Sequence, residues 1–488
     1  MNAKTWTAFA VWFCALGLLI NLATFVGVAV PFWFVLVFVA LALVFTVVVL
    51  LRRTRDYFHP VSIFVFSFLV RLWLPTFLVT VGVEPFPFLG MEWWVGDAWQ
   101  KGFALGALAN FSLVLGWMLL PAWPRRRALA ALRDRVHRSS PDLSALRTAA
   151  WLGFVTGLAF YFFFFAVNFG ILRSIDVLLS GVLRGGEVQQ PGTSRYMFLA
   201  GNFLRWSSLT LAIITYQSTG ALFRSFLPLL SVVVLYIPFG GRVVAVMPLF
   251  IGLMAVWYSG WRDRRAIRAI LLALMLVVGA IYIAPGIRAY RGGGGIDALL
   301  EALSPSVVFR DTILFWLEIN MLHAYTYAVV FGPGSHTVSP LRYLFGGYTA
   351  YFLGVLDEVV HGTYIVWRVT GVQSDWGIHT GLPVDYYMSF GLVPMMGTML
   401  LLGWGLKLLY QRLVLPAGDR SVARRAAYVF LFWDFYWLVY ERGLGLLTLY
   451  ESLAFLGLIL LASKLLEGHR IRGTSQGIAL QTYFSHKG

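Results

Sequence analysis

Apolar runs of bilayer-spanning length alternate with short polar interruptions along almost the whole chain. A helix that crosses a membrane needs about 20 apolar residues. Such runs fall near Trp6–Val28, Pro31–Leu51, His59–Val81, Gly102–Leu120, Ala149–Phe169 and Tyr196–Gln217. They continue near Phe223–Phe239, Val243–Trp261, Ala269–Ile287, Tyr386–Tyr410, Tyr428–Tyr440 and Leu444–Leu466. The pattern predicts an all-α polytopic integral membrane protein with about twelve transmembrane helices. The first run lacks a small-residue cleavage site and reads as a retained span.

The alternation fails once. Pro285–Gly391 holds His323, His336, His361 and His379, a set of acids from Asp297 to Asp385, and interleaved tyrosine and tryptophan. A loop of that length in a compact protein is usually functional or disordered, and this one is too aromatic for disorder. Within it, Leu314–Val330 and Leu344–Val360 are apolar enough to re-enter the bilayer or lie in its interface. The chain thus divides into nine spans with short loops over residues 1–285, a large external loop containing short helices over 286–385, and three spans with a C-terminal tail over 386–488.

Composition agrees. Of 488 residues, 59% are hydrophobic and 12% charged, against about 25% charged in soluble domains. The net charge of +16 falls in short runs between apolar segments. Examples are Arg52, Arg53 and Arg55, then Arg125, Arg126 and Arg127, then Arg262, Arg264 and Arg265. That is the positive-inside pattern, which places every basic cluster and both termini in the cytoplasm. Membrane lipids, and not nucleic acid, are the partners of such runs. The single cysteine, Cys14, excludes a disulfide framework. No His-Glu-x-x-His or Asp-x-Asp pattern is present, so neither a metal nor a cofactor is expected. The first external turn, Phe25–Pro31, carries no acid. This counts against lipid-phosphate-sugar transferases that place a catalytic acid there.

Four constellations carry candidate chemistry. Arg242 follows Gly240-Gly241 at the end of a span, where a guanidinium is costly unless it meets an anion, a carboxylate or water. Its planar fork suits phosphate or pyrophosphate. Arg288 and Arg291 flank Tyr290 beyond the ninth span and precede four glycines that read as a hinge. Arg310-Asp311 opens a helical segment in which Asp311, Glu318 and Tyr325 recur every seventh residue, on one face, with His323 nearby. Acids and a histidine on one helix can supply a general base, and equally a polar stripe toward other loop elements. The stretch from His379 through Asp385 and Tyr387 to Gly391 places an acid and two tyrosines at the mouth of a span. An acid at a helix start is also an ordinary N-terminal preference.

Gly240-Gly241-Arg242 resembles the Gly-Ser/Gly-Arg of the oligosaccharide repeat-unit polymerases of bacterial envelopes, the O-antigen polymerase type. Pro383…Asp385-x-Tyr387-x-x-Phe390-Gly391 resembles that family's Pro…Glu-x-Tyr-x-x-Phe-Gly, with Asp385 where the family more often has Glu. The resemblance covers mainly residues 235–412; elsewhere it is one of hydropathy. It implies a GT-C-like bundle in the bacterial inner membrane and a metal-independent glycosyltransferase. The implied substrate is an undecaprenyl-pyrophosphate-linked oligosaccharide, joined on the outer face, with a chain-length regulator protein as a further partner. Under that reading Asp385, Glu318, His323 and Asp311 are candidates for the base. Arg242, Arg288, Arg291, Arg310, Tyr290, Tyr387 and His379 are candidates for holding pyrophosphate and sugar. Two other readings stand beside it. An O-antigen ligase-like transferase would use the same donor and weight His323, His336 or His379. A polysaccharide transporter or flippase would use charges within spans, such as Arg205, Asp434 and Glu451.

Overall fold

The computed structural model describes residues 3–82, 96–119, 143–170, 194–236, 242–258, 295–307, 321–338, 361–371, 380–414, 422–442 and 453–467. In chain order the helices are α1 (Ala3–Phe25), α2 (Phe32–Thr54), α3 (Pro60–Thr80), α4 (Ala98–Leu119), α5 (Leu143–Phe169), α6 (Ser194–Thr219), α7 (Leu222–Tyr236) and α8 (Arg242–Tyr258). They continue with α9 (Gly295–Ala302), α10 (Pro305–Val307), α11 (Leu322–Phe331), α12 (His361–Thr370), α13 (Gly381–Phe390), α14 (Leu392–Leu413), α15 (Val422–Trp437) and α16 (453–467). No strand occurs among the described residues.

Six of these helices are long and apolar enough to cross a bilayer: Thr5–Phe25 of α1, then α2, α3, α4, α5 and α14. The protein is a helical, multi-pass membrane protein. Helices also stand where the sixth, seventh, eighth, eleventh and twelfth runs were read. The ninth run lies outside the described residues. The tenth run is corrected. It is not one helix from Tyr386 but two, α13 and α14, because Gly391 sits at φ +90° between them. That left-handed geometry is open to glycine at no steric cost.

The chain forms two compact units. The first combines residues 1–123, 296–415 and 432–449; the second combines 124–295, 416–431 and 450–488. In the first unit α4 is the axis. Every residue from Gly102 to Trp117 is buried, as expected of a helix apolar all round. It achieves this by being thin. A Cβ on Gly116 would overlap the Leu400 carbonyl of α14, and one on Gly403 of α14 would overlap the Leu113 carbonyl of α4. The two backbones therefore touch reciprocally, the small-residue packing that membrane helices use where no hydrophobic force draws them together. Toward the other end, a Cβ on Gly102 would come within 2.8 Å of the Thr326 amide nitrogen of α11.

In the second unit α5 packs on α6 by the same device, with the Leu204 backbone against Gly157. Its core is aromatic: Tyr161, Phe164 and Phe165 pack with Met197 and Ala200, and Trp206 stacks on Phe430 at 3.7 Å.

The corner between α2 and α3 is pinned by a buried polar cluster. Arg55 turns the chain at φ +52°. Asp56, fully buried, accepts from the Phe58 amide at 3.0 Å and from the Tyr410 hydroxyl of α14 at 2.6 Å. His59, one residue before α3, lies with its ring 4.8 Å from Trp117 and 5.3 Å from Tyr410. Among the described residues its Nδ1 has no hydrogen-bond partner, and burial pushes the imidazole down from 6.5 to about 3.

Two outcomes follow from this packing. Gly403→Ala should lower the stability of the detergent-solubilised protein by about 1–3 kcal/mol through overpacking. Gly397→Ala in the same helix, where nothing lies within 4 Å, should be neutral or slightly stabilising; equal melting temperatures for the two variants would refute the backbone contact. The unfolded chain binds a proton at His59 below about pH 6.5 while the folded chain does not. Stability should therefore fall by up to about 1.4 kcal/mol per pH unit from that one group as pH drops below 6.5. Melting curves of His59→Phe across the same range should be measurably flatter than those of the wild type.

Candidate functional site

The centre of the first unit gathers polar side chains that an apolar bundle would otherwise exclude. They come from α3, α4, α11, α13 and the end of α15. Two of these helices are wound wider than an α-helix where they meet. In α3 the segment Leu69–Trp73 is π-helical, with the Leu74 amide reaching back five residues to the Leu69 carbonyl. The cause lies in the sequence. Pro75 has no N–H to give the Arg71 carbonyl, so the regular ladder cannot continue there. Beyond α15 the segment Leu438–Arg442 is also π-helical. Single π turns are rare in helices and frequent at functional sites.

These two turns carry the residues that face each other. The Arg71 guanidinium stands 5.9 Å from the centroid of the Tyr440 ring. The Tyr440 hydroxyl, buried, donates to the Phe64 carbonyl at 2.7 Å and lies 3.1 Å from Asn110 Oδ1 of α4. Asn110 in turn donates to the Gly106 carbonyl at 3.1 Å. Ser67 donates to the Tyr436 hydroxyl at 3.0 Å, and the Tyr436 and Tyr440 rings are 5.1 Å apart.

Helix α13 brings the acid. Gly381 begins it at φ +67°, with the Val439 carbonyl of the second π turn where a side chain would be. Asp385 is 1% exposed, and Thr380 donates to its Oδ1 at 2.6 Å. This corrects the expectation that Asp385 lies at a helix start. It is the fifth residue of α13, whose first turn holds no acid. The charges of both Arg71 and Asp385 act on the hydroxyl of Tyr325 in α11. The Tyr325 ring lies against Gly106 of α4, at 3.4 Å from a Cβ placed there. His323, on the same helix, is fully buried.

Farther along the chain of the same unit, His336 stacks on Tyr364 at 4.3 Å, nearly coplanar. Arg368 lies 5.9 Å from the ring centroids of both Tyr364 and Phe331. Tyr387 is buried edge-on against Phe25 at 5.8 Å. Ser389 donates to the His336 carbonyl at 3.3 Å.

Of the residues expected from sequence, Asp385, His323 and Tyr387 lie in this unit. Arg242 opens α8, which belongs to the second unit. Asp311, Glu318, Arg310, Arg288, Arg291, Tyr290 and His379 lie outside the described residues. Arg71, Asn110, Tyr436 and Tyr440 were not foreseen. The signal for Arg71 was available: an arginine inside an apolar run, four residues before a proline. Arg205 of α6, which the transporter reading uses, is satisfied within its own helix. Its Nε donates to the Gly201 carbonyl at 3.1 Å, and a terminal nitrogen reaches Asn202 Oδ1 at 3.3 Å.

The chemistry available is a buried carboxylate, a guanidinium and buried phenols in one unit, fixed by backbone and amide contacts. No protein-family model, curated protein or solved structure matches the chain.

The hydroxyl of Tyr440 joins α15 to α3 and α4 at one point. Tyr440→Phe keeps the ring beneath Arg71 but removes the donor to the Phe64 carbonyl. It should cost about 1–3 kcal/mol, the range for leaving a buried polar group unsatisfied. Thermal unfolding in detergent measures this, and an unchanged midpoint would remove Tyr440 as the tie.

Proposed function

We propose that this protein is a membrane glycosyltransferase that polymerises undecaprenyl-pyrophosphate-linked oligosaccharide repeat units on the outer face of the bacterial inner membrane. In this reading it is a GT-C-like bundle of about twelve spans with both termini in the cytoplasm. The observation that carries the reading is a buried carboxylate, Asp385, bonded to Thr380, in the same unit of apolar helices as the Arg71 guanidinium over the Tyr440 ring. Charged groups inside a membrane protein mark functional sites by default.

The reaction assigns each group a task. A hydroxyl oxygen of the acceptor sugar attacks the anomeric carbon of the donor. The bond from that carbon to the pyrophosphate oxygen breaks. The hydroxyl proton passes to Asp385, acting as general base. The negative charge that develops on the departing lipid pyrophosphate is stabilised by arginine, here Arg71. An exposed aromatic face such as that of Trp367 is suited to packing against a sugar ring.

Asp385→Asn and Arg71→Gln, expressed at wild-type level in cells that depend on this protein for surface glycan, provide the test. Each should lose long chains by about 100-fold or more while single repeats are still transferred. Loss of all surface glycan with lipid-linked polymer accumulating would show a ligase instead. Accumulation of lipid-linked single units facing the cytoplasm would show a flippase. Wild-type ladders from both variants would remove these residues from the reaction.

A further inference from the structure

Away from the polar centre, a cavity of about 340 Å³ opens between α1 and α2. Its wall on α2 is Phe45, Val48, Val49, Arg52 and Arg53. These residues fall at i, i+3, i+4, i+7 and i+8, one continuous face of the helix. The stripe is apolar for its first turn and ends in two guanidinium groups. Trp6 of α1 closes the other side, with its ring 5.7 Å from that of Phe45. Trp6 and Val48 remain 38% and 40% exposed, so the cavity is open to whatever surrounds the two spans.

The end of the cavity is cationic. Among the described residues neither Arg52 nor Arg53 makes an ion pair or hydrogen bond. Arg53 instead feels the positive charge of Lys407 on α14. The C-terminal carbonyls of α2 and the buried carboxylate of Asp56, which is bonded to Phe58 and Tyr410, offset part of this, and the cations still outnumber the acid. Two forked guanidinium groups one residue apart are well suited to a phosphate.

We propose that this groove is a binding site for one anionic phospholipid. Its phosphodiester sits between Arg52 and Arg53, and an acyl chain lies along Val49, Val48 and Phe45 beneath Trp6. The apolar wall is what commits the site to a lipid. It runs along two membrane-spanning helices, and a soluble phosphate would use only the arginine end. Tryptophan at that depth is the usual interfacial anchor. The site is independent of the transfer reaction proposed above.

Native mass spectrometry of the full-length protein in detergent, titrated with phosphatidylglycerol or phosphatidylcholine, tests the proposal. Phosphatidylglycerol should bind at least about 10-fold more tightly than phosphatidylcholine, and the Arg52→Gln/Arg53→Gln double variant should bind it about 30-fold more weakly than wild type. Val48→Trp, which fills the groove and keeps both arginines, should also weaken it. Arg147→Gln, an exposed arginine of α5 bonded to Ser218, should leave binding unchanged. Equal binding of the two lipids, or a double variant that behaves like Arg147→Gln, would overturn the site. Displacement by soluble glycerol 3-phosphate at concentrations matching those of the lipid would overturn the lipid assignment.

Discussion

The first unit depends on how closely other backbones can approach α4. A helix buried on all sides in a bundle has no lipid-facing surface, so its neighbours must fit around it at whatever distance its side chains allow. Glycine at positions 102 and 116 brings that distance to backbone contact with α11 and α14, and Gly106 admits the side chains of Leu72 and Tyr325. Bulkier residues there would push α11 outward. The Tyr325 ring would then leave the place where it feels both Arg71 and Asp385. The polar centre is thus a consequence of a thin axis.

Burying such groups costs several kcal/mol each unless they are met by partners. The protein meets them largely with backbone atoms, which cannot swing away. Tyr440 is held by the Phe64 carbonyl and Asn110 by the Gly106 carbonyl. The two π turns serve the same end. Widening a helix by one residue reorients the side chains beyond it and frees a carbonyl from the regular ladder. Pro75 forces one such turn at Arg71, and the positive φ of Gly381 lets α13 seat directly on the other. Asp385 is aimed by that seat and by the short bond from Thr380.

Hydropathy made the helices legible, since a run of about 20 apolar residues has few other uses. It also hid what interrupts them. Gly391 lies between two apolar stretches, so the α13–α14 break leaves no trace in a windowed average. Arg71 is likewise averaged out by Val70, Leu72, Trp73 and Leu74. Asp385, His323 and Tyr387 were legible because they stand in the one stretch where polar residues concentrate. Asn110 and Tyr440 were not, for each sits alone in an apolar run and gains meaning only from a partner hundreds of positions away. The two units are invisible in the same way, because each is assembled from three separated pieces of chain.

Three arginine environments show why position in a span is a weak guide to role. Arg205 lies in the midst of α6, yet its guanidinium folds back on Gly201 and Asn202 and asks nothing of a ligand. Arg52 and Arg53 end an apolar stripe, exposed, beside another cation and with no ion pair among the described residues. Arg71 stands over the Tyr440 face in a distorted turn. All three satisfy the rule that an intramembrane charge is costly and therefore notable. What separates them is what each guanidinium meets. For Arg205 neutral acceptors of its own helix meet the guanidinium, for Arg71 an aromatic ring of the same unit does so, and Arg52 and Arg53 make no ion pair among the described residues.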